Sequence, residues 1–381
     1  MVKKYSKKVQ KKNTKPKKEN KKQQRNKKTP QTKKKTIKKE EKHHKFEIKS
    51  GIQFDDILSK VMPLKGGKYG VLSEGGEFVI FTIDKKKEIK LDLSFQIQGA
   101  NLFCQLGNGI FVFNSLDYIT FWELKGIKLN QLAEYETIFR IVTYSMEPIN
   151  DNIVAISGPN DIIELVKLTK TKKINIAYLD YKKSKSLIKK NKNKKIDTSP
   201  SGIGCLYYQK KHSRLLATHF NDILRIWNCD FSKDKYELYK EVNPISNFAG
   251  KIIHETKNKI LIGGRDLITI LNNDTYEITD FIDLGNNGYD IFSMELINYY
   301  NFKEFAICGL RNGKILGVDI DNKRIEFSKQ KMNNTGKDNE MNVKNGKLTF
   351  YGENISYISK VEKENMILVA SHDHTLKLFE Y

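Results

Sequence analysis

The chain has 381 residues, 39% hydrophobic and 10% aromatic, enough to bury one large core or two ordinary ones. Its net charge of +23 is concentrated: residues 1–45 hold 21 Lys and Arg against 3 Glu, and 181–195 ("YKKSKSLIKKNKNKK") hold 8 Lys and no acid, leaving the rest at −3. No run of 18 apolar residues, no apolar stretch behind Met1 and no CxxC pair occurs, which argues against a spanning helix, a secretory leader and a disulfide or zinc framework.

Residues 1–44 contain almost nothing apolar beyond Val2, Tyr5, Val9 and Ile37. Such a segment cannot bury enough surface to offset chain entropy, and its lysines repel one another, so it reads as a disordered basic arm. Its clustered lysines are candidate contacts to a polyanion: Lys11, Lys12, Lys17, Lys18, Lys21, Lys22, Lys27, Lys28, Lys33, Lys34, Lys35, Lys38 and Lys39. The second basic segment adds Lys182, Lys183, Lys189, Lys190, Lys194 and Lys195. "KKTPQTKKKTIKK" (27–39) also resembles a nuclear import signal.

"KFEIKSGI" (45–52) reads as a strand and "DILSKVMPL" (56–64) as an outer strand. Beyond them, seven stretches repeat one pattern of apolar strand, turn and second strand with a bulky end. They are "YGVLSEGGEFVIFTID" (69–84), "GIFVFNSLDYITFWEL" (109–124), "NIVAISGPNDIIELVKL" (152–168), "RLLATHFNDILRIWN" (214–228), "KILIGGRDLITILNN" (259–273), "FAICGLRNGKILGVDI" (305–320) and "MILVASHDHTLKLFEY" (366–381). The bulky position is held by Thr82, Trp122, Val166, Trp227, Leu271, Val318 and Phe379, at spacings of 40, 44, 61, 44, 47 and 61. An Asp lies five residues before each Trp, at Asp117 and Asp222. The two long spacings contain polar insertions, at about 181–199 and 327–346; without them every spacing falls in the forties. That period is one blade of a β-propeller, and Trp122, Trp227 and Phe379 are expected in the blade core.

The stretches "ASHDHTLKLFEY" (370–381) and "ATHFNDILRIWN" (217–228) resemble the WD-repeat β-propeller family. Asp373 stands where that family places its turn aspartate, with Phe379 and Glu380 in place of Trp-Asp. The family's Gly-His pair near each blade start is absent. The resemblance implies an all-β, seven-bladed propeller over residues 45–381, with the strand at 45–52 completing the last blade after Tyr381.

Catalytic motifs are missing: there is no GxSxG, HExxH or Walker-type sequence. "SHDH" (371–374) reads as a turn rather than a metal site, and "LYYQKKHSR" (206–214) as a strand and loop rather than a nucleic-acid contact. The expectation is therefore a non-catalytic scaffold with no cofactor and no small-molecule substrate. It would bind proteins through the propeller faces and RNA or another polyanion through the arm. A nuclear or nucleolar ribosome-assembly particle suits that combination, with the cytoplasm as the other compartment. A cytoskeletal or ciliary adaptor, a membrane-surface adaptor and a propeller-based enzyme are the alternatives.

Overall fold

The computed structural model describes residues 47–139, 142–180, 202–243, 252–285, 290–298, 304–329, 343–344, 347–348, 354–361 and 364–381. The chain folds into seven four-stranded antiparallel sheets, which are the blades of a propeller. Blade 1 shows the order within each: Leu58–Leu64 innermost, then Lys68–Ser73, Glu77–Ile83 and, outermost, Ile89–Gln96. The other innermost strands are Ala100–Gln105, Ser145–Pro148, Ile203–Gln209, Ile252–Glu255, Ile291–Ile297 and Ile355–Lys360. Each touches the innermost strands of the blades on either side, and the seventh touches the first, so the ring is closed.

Closure comes from the strand Glu47–Gln53, which pairs antiparallel with Thr375–Glu380 as the fourth strand of blade 7. The sequence places this strand at 45–52; residues 45 and 46 lie outside the described residues. Lys49 salt-bridges Glu380 at 2.9 Å, and Lys87 of blade 1 bonds the same carboxylate, which holds it below its ordinary value.

The core is distributed over the seams between blades. Seven clusters of buried side chains each join two neighbours. Trp227 is 2% exposed and packs with Ile153 and Leu165 of blade 3. Phe379 is also 2% exposed and packs with Phe305 and Ile315 of blade 6. Trp122 is only half-buried, against the cluster of blades 1 and 2. Neither indole N–H has a hydrogen-bond partner among the described residues, so both rings are held by packing.

A bulge aligns the bulky positions. Opposite the outermost strand, the pairing slips one residue between Phe121 and Trp122, Ile226 and Trp227, Ile270 and Leu271, and Gly317 and Val318. In blade 7 the extra residue is Lys49, opposite Leu378 and Phe379. In blade 1 the slip falls between Ile80 and Phe81, so Phe81, fully buried, takes this place and not Thr82, one residue further on. A one-residue shift exchanges the two faces of a strand, and the larger side chain takes the buried face.

Two further readings change. Leu58–Leu64 is an innermost strand, not an outer one. Its lysine and serine face the channel while Leu58, Val61 and Leu64 are buried. The segment 181–199 lies outside the described residues, as does most of 327–346. At its start, 327–329 complete the outermost strand Arg324–Lys329 of blade 6, and Val343–Lys344 pairs with Lys347–Leu348.

Deleting residues 1–44 is expected to leave the melting temperature within about 2 °C of the full chain, whereas deleting 1–54 removes the closing strand and lowers it by about 10 °C or more. Thermal denaturation of both truncations checks this, and equal melting would refute strand closure. Trp227→Ala should cost about 3–5 kcal/mol in denaturant titration, and the half-buried Trp122 less on truncation.

Candidate functional site: the ring faces and the central channel

The antiparallel order gives the ring two unlike ends. Innermost and third strands start at one end, here the upper, where second and outermost strands finish. Ile203 pairs with His219 there, and Ile162 with Asp180. Residues 180 and 202, which flank the second basic segment, are therefore both upper, while the closing strand begins at the lower end, where Glu47 pairs with Glu380. All nineteen candidate lysines lie outside the described residues.

A charge difference follows the same axis. The upper ends of blades 1 and 2 carry Asp55, Asp56, Glu74, Glu77, Asp117, Glu134 and Glu136, and the described lysine at comparable depth, Lys60, lines the channel. Lower turns carry lysine runs, Lys85–Lys87 in blade 1 and Lys170, Lys172 and Lys173 in blade 3. A body near neutrality thus presents an acidic sector above and basic turns below.

The innermost strands enclose a channel cavity of ≈ 320 Å³ lined by Lys60, Leu102, Glu147, Cys205, Tyr207, His254, Phe292 and Tyr357 among others. Two of its seams are fastened by one repeated tripeptide. Ser145-Met146-Glu147 of blade 3 accepts backbone N–H groups of blade 4: Leu206 to Ser145 Oγ at 3.1 Å and Tyr208 to Glu147 Oε1 at 3.0 Å. Ser293-Met294-Glu295 of blade 6 does the same for blade 7, from Ile358 at 2.6 Å and Lys360 at 3.3 Å. Burial pushes the Glu147 carboxyl up to about 7 from the ordinary 4.5, against the Tyr208 N–H and the Lys60 charge. Burial raises Glu295 too, opposed by His254. Lys60 Nζ sits 5.6 Å from the Tyr357 ring centroid.

Elsewhere, side chains that sequence reasoning did not single out fill the seams. The Glu164 carboxylate, fully buried, accepts Tyr135 Oη and Thr137 Oγ1 at 2.6 Å each and the Ile138 N–H at 3.1 Å. Between blades 3 and 4, the Arg225 guanidinium, 1% exposed, donates to Asp161 at 3.1 Å and Glu241 at 2.9 Å, with His219 Nδ1 3.2 Å from Asp161. Burial acts to raise the Asp161 carboxyl, but His219 and Arg225 outweigh it and hold it below its ordinary value. A buried His–Asp contact thus joins blades 3 and 4. Only Arg225, a charge between Leu224 and Ile226 in an otherwise apolar strand, could have signalled it.

The remaining candidates serve local structure. Asp373 accepts the Thr375 N–H at 3.0 Å and ion-pairs with Lys377, His372 lies 3.3 Å from the Asn354 amide, and His374 meets the Asp55 carbonyl at 3.1 Å. Among the described residues no three His, Cys, Asp or Glu are grouped to hold a metal. The four cysteines are unpaired and buried, their thiols pushed up to about 12 by burial. No helix among the described residues is long and apolar enough to cross a membrane.

No protein-family model and no curated protein matches the chain. Among solved structures it is similar to the WD40 beta propeller domain of Doa1, at TM-score 0.62 and 11% identity, over 88% of this chain and 97% of that one. Identity that low establishes the fold: this is a WD40-type, seven-bladed β-propeller.

Because the folded state keeps Glu147 protonated up to about 7, while the unfolded chain ionises near 4.5, stability should fall as pH rises through that window and level off above it. Glu147→Gln keeps an acceptor for Tyr208 without the charge. Melting curves from pH 5 to 8.5 should show the variant losing less stability than the native chain; parallel curves would refute the assignment.

Proposed function

We propose that the protein is a non-catalytic interaction scaffold of an intracellular ribonucleoprotein assembly, in the nucleus or nucleolus, with its basic arm on RNA. One observation carries the reading. The ring is nearly neutral, and the excess charge sits in residues 1–44 and 181–195, at +17 and +8. Lysine side chains neutralise phosphates without reading bases, so runs of them suit a particle in which RNA is a structural partner. The chemistry of the channel supports a scaffold over an enzyme. Its carboxylates Glu147 and Glu295 each accept a neighbouring blade's backbone N–H, and its thiol at Cys205 is held protonated by burial. Propeller enzymes exist, so the fold by itself does not decide this.

RNA binding by the full chain should weaken with salt at a slope of about −0.7 to −0.9 per phosphate engaged, so six lysines give a slope of about −5. Deletion of 1–44 should flatten the slope more than deletion of 181–199. Filter binding across a salt series with both variants checks it. An unchanged slope without the arm would overturn RNA contact and leave the arm a targeting signal.

A further inference from the structure

The turn between the second and third strands carries a left-handed residue in six blades: Gly76, Leu116, Asp222, Asp266, Gly313 and His374, with φ between 52° and 83°. Gly, Asp and His tolerate this region; a bulky leucine there is an outlier. Five of the six lie five residues before their blade's bulky position. Leu116 lies six before Trp122, in a two-residue turn closed by Ser115 and Tyr118, so Asp117 is not the equivalent of Asp222 despite its matching spacing. Leu116 is also 64% exposed, resting over Gly99, where a Cβ would meet its Cγ at 2.6 Å. The position thus combines backbone strain with an exposed apolar side chain. Neither helps folding, and among the six left-handed upper turn residues Leu116 is the one with a bulky apolar side chain, an outlier from which a function can be inferred.

Its surroundings form one continuous surface. Ile97 donates its N–H to Gly76 at 2.8 Å, Leu116 to Gly99 at 3.1 Å and Thr137 to Asp117 at 2.9 Å, so the turns and links of blades 1 and 2 are joined side by side. Tyr118 and Ile138 add exposed apolar surface at 44% and 41%. Glu74, Asp117, Glu134 and Glu136 border it, and Lys60, the described lysine at comparable depth, lines the channel.

We propose that the upper rim of blades 1 and 2, centred on Leu116, docks a basic segment of a partner protein that carries apolar anchor residues. The anchors would cover Leu116, Tyr118 and Ile138 while lysines or arginines meet the bordering carboxylates. Charge complementarity selects this occupant: an acidic or nucleic-acid partner would be repelled here. The inference deepens the scaffold reading and rests on it.

The test uses the full chain and three short fluorescein-labelled peptides, alternating Lys with Leu, Lys with Ser, and Glu with Leu, in fluorescence anisotropy. The Lys-Leu peptide should bind about tenfold tighter than Lys-Ser, and Glu-Leu should not bind. Leu116→Gly should melt at or above the native temperature, because it relieves the strained backbone, yet bind Lys-Leu about tenfold more weakly. Glu74→Lys with Glu134→Lys should weaken it at least as much, and Lys170→Glu with Lys172→Glu, on lower turns, should not. Equal binding by Leu116→Gly and the native chain, or preference for Glu-Leu, would overturn the proposal. RNA filter binding separates the two readings: peptide binding lost in the upper-rim variants with the RNA slope retained supports both, while a lost RNA slope in the arm deletion alone concerns only the polyanion contact.

Discussion

The pairing of Glu47–Gln53 with Thr375–Glu380 is the interaction on which the rest depends. Without it blade 7 would present an unpaired edge and the ring would have an end on each side. With it, every blade is flanked by two others, and the core becomes seven equivalent seams rather than one centre. The junction is long-range in sequence, so it forms only when both chain ends have been positioned. The blades between are built from local hairpins, which carry little loop-closure cost. Lys49 and Lys87, from the closing strand and from blade 1, converge on Glu380, so the last blade is bound to both elements that complete the circle.

Apolar seams alone would let neighbouring blades slide, because dispersion and burial have little directional preference. The polar groups found between blades supply direction. Glu164 fixes the link from blade 2 to blade 3, Arg225 with Asp161 fixes blade 3 to blade 4, and the two Ser-Met-Glu tripeptides pin innermost strands to one another. The tripeptides sit at the seams of blades 3–4 and 6–7, the two places where the chain inserts a long polar segment before the next blade. A long link holds its flanking strands together less firmly than a short one, and direct bonds between those strands make up the difference. The cost appears in Glu147, whose burial works against its charge.

Much of the architecture was legible. Strand-turn-strand periodicity gave the blade number, and five of seven bulky positions coincide with a bulge shared by six blades. Errors arose where one residue decides the outcome. Thr82 and Phe81 are adjacent, and pattern matching had no means to tell which faced the seam. Asp117 matched Asp222 in spacing, but a shorter turn put Leu116 in the left-handed position. The seam contacts escaped because they pair residues some sixty positions apart, as Asp161 with Arg225, and a lone charge in an apolar strand names no partner. The strand at 56–64 was read as outer from its place before the first repeat, whereas Lys60 and Ser59 line the channel and make it the innermost strand of blade 1.

Net charge was the least informative number, because it averages over an axis that only topology defines. Reversal of strand direction sends alternate turns to opposite ends, so in blade 1 the acidic turn at Glu74 and the lysine turn at Lys85–Lys87 face opposite ways. Strands of about 7 residues span roughly 23 Å, whereas charges at physiological salt are screened over about 8 Å. The two ends therefore act on ligands independently. On the proposed reading, this lets the upper rim of blades 1 and 2 face a basic protein segment while phosphate is favoured nearer the lysine turns below and at the second basic segment, whose flanks lie on blades 3 and 4 away from that rim. A uniformly charged ring of the same composition could not do this: a surface basic enough to hold RNA everywhere would repel the basic segment everywhere. On that reading, the separation of charge along the strand axis, more than its total, would suit the ring to joining unlike partners.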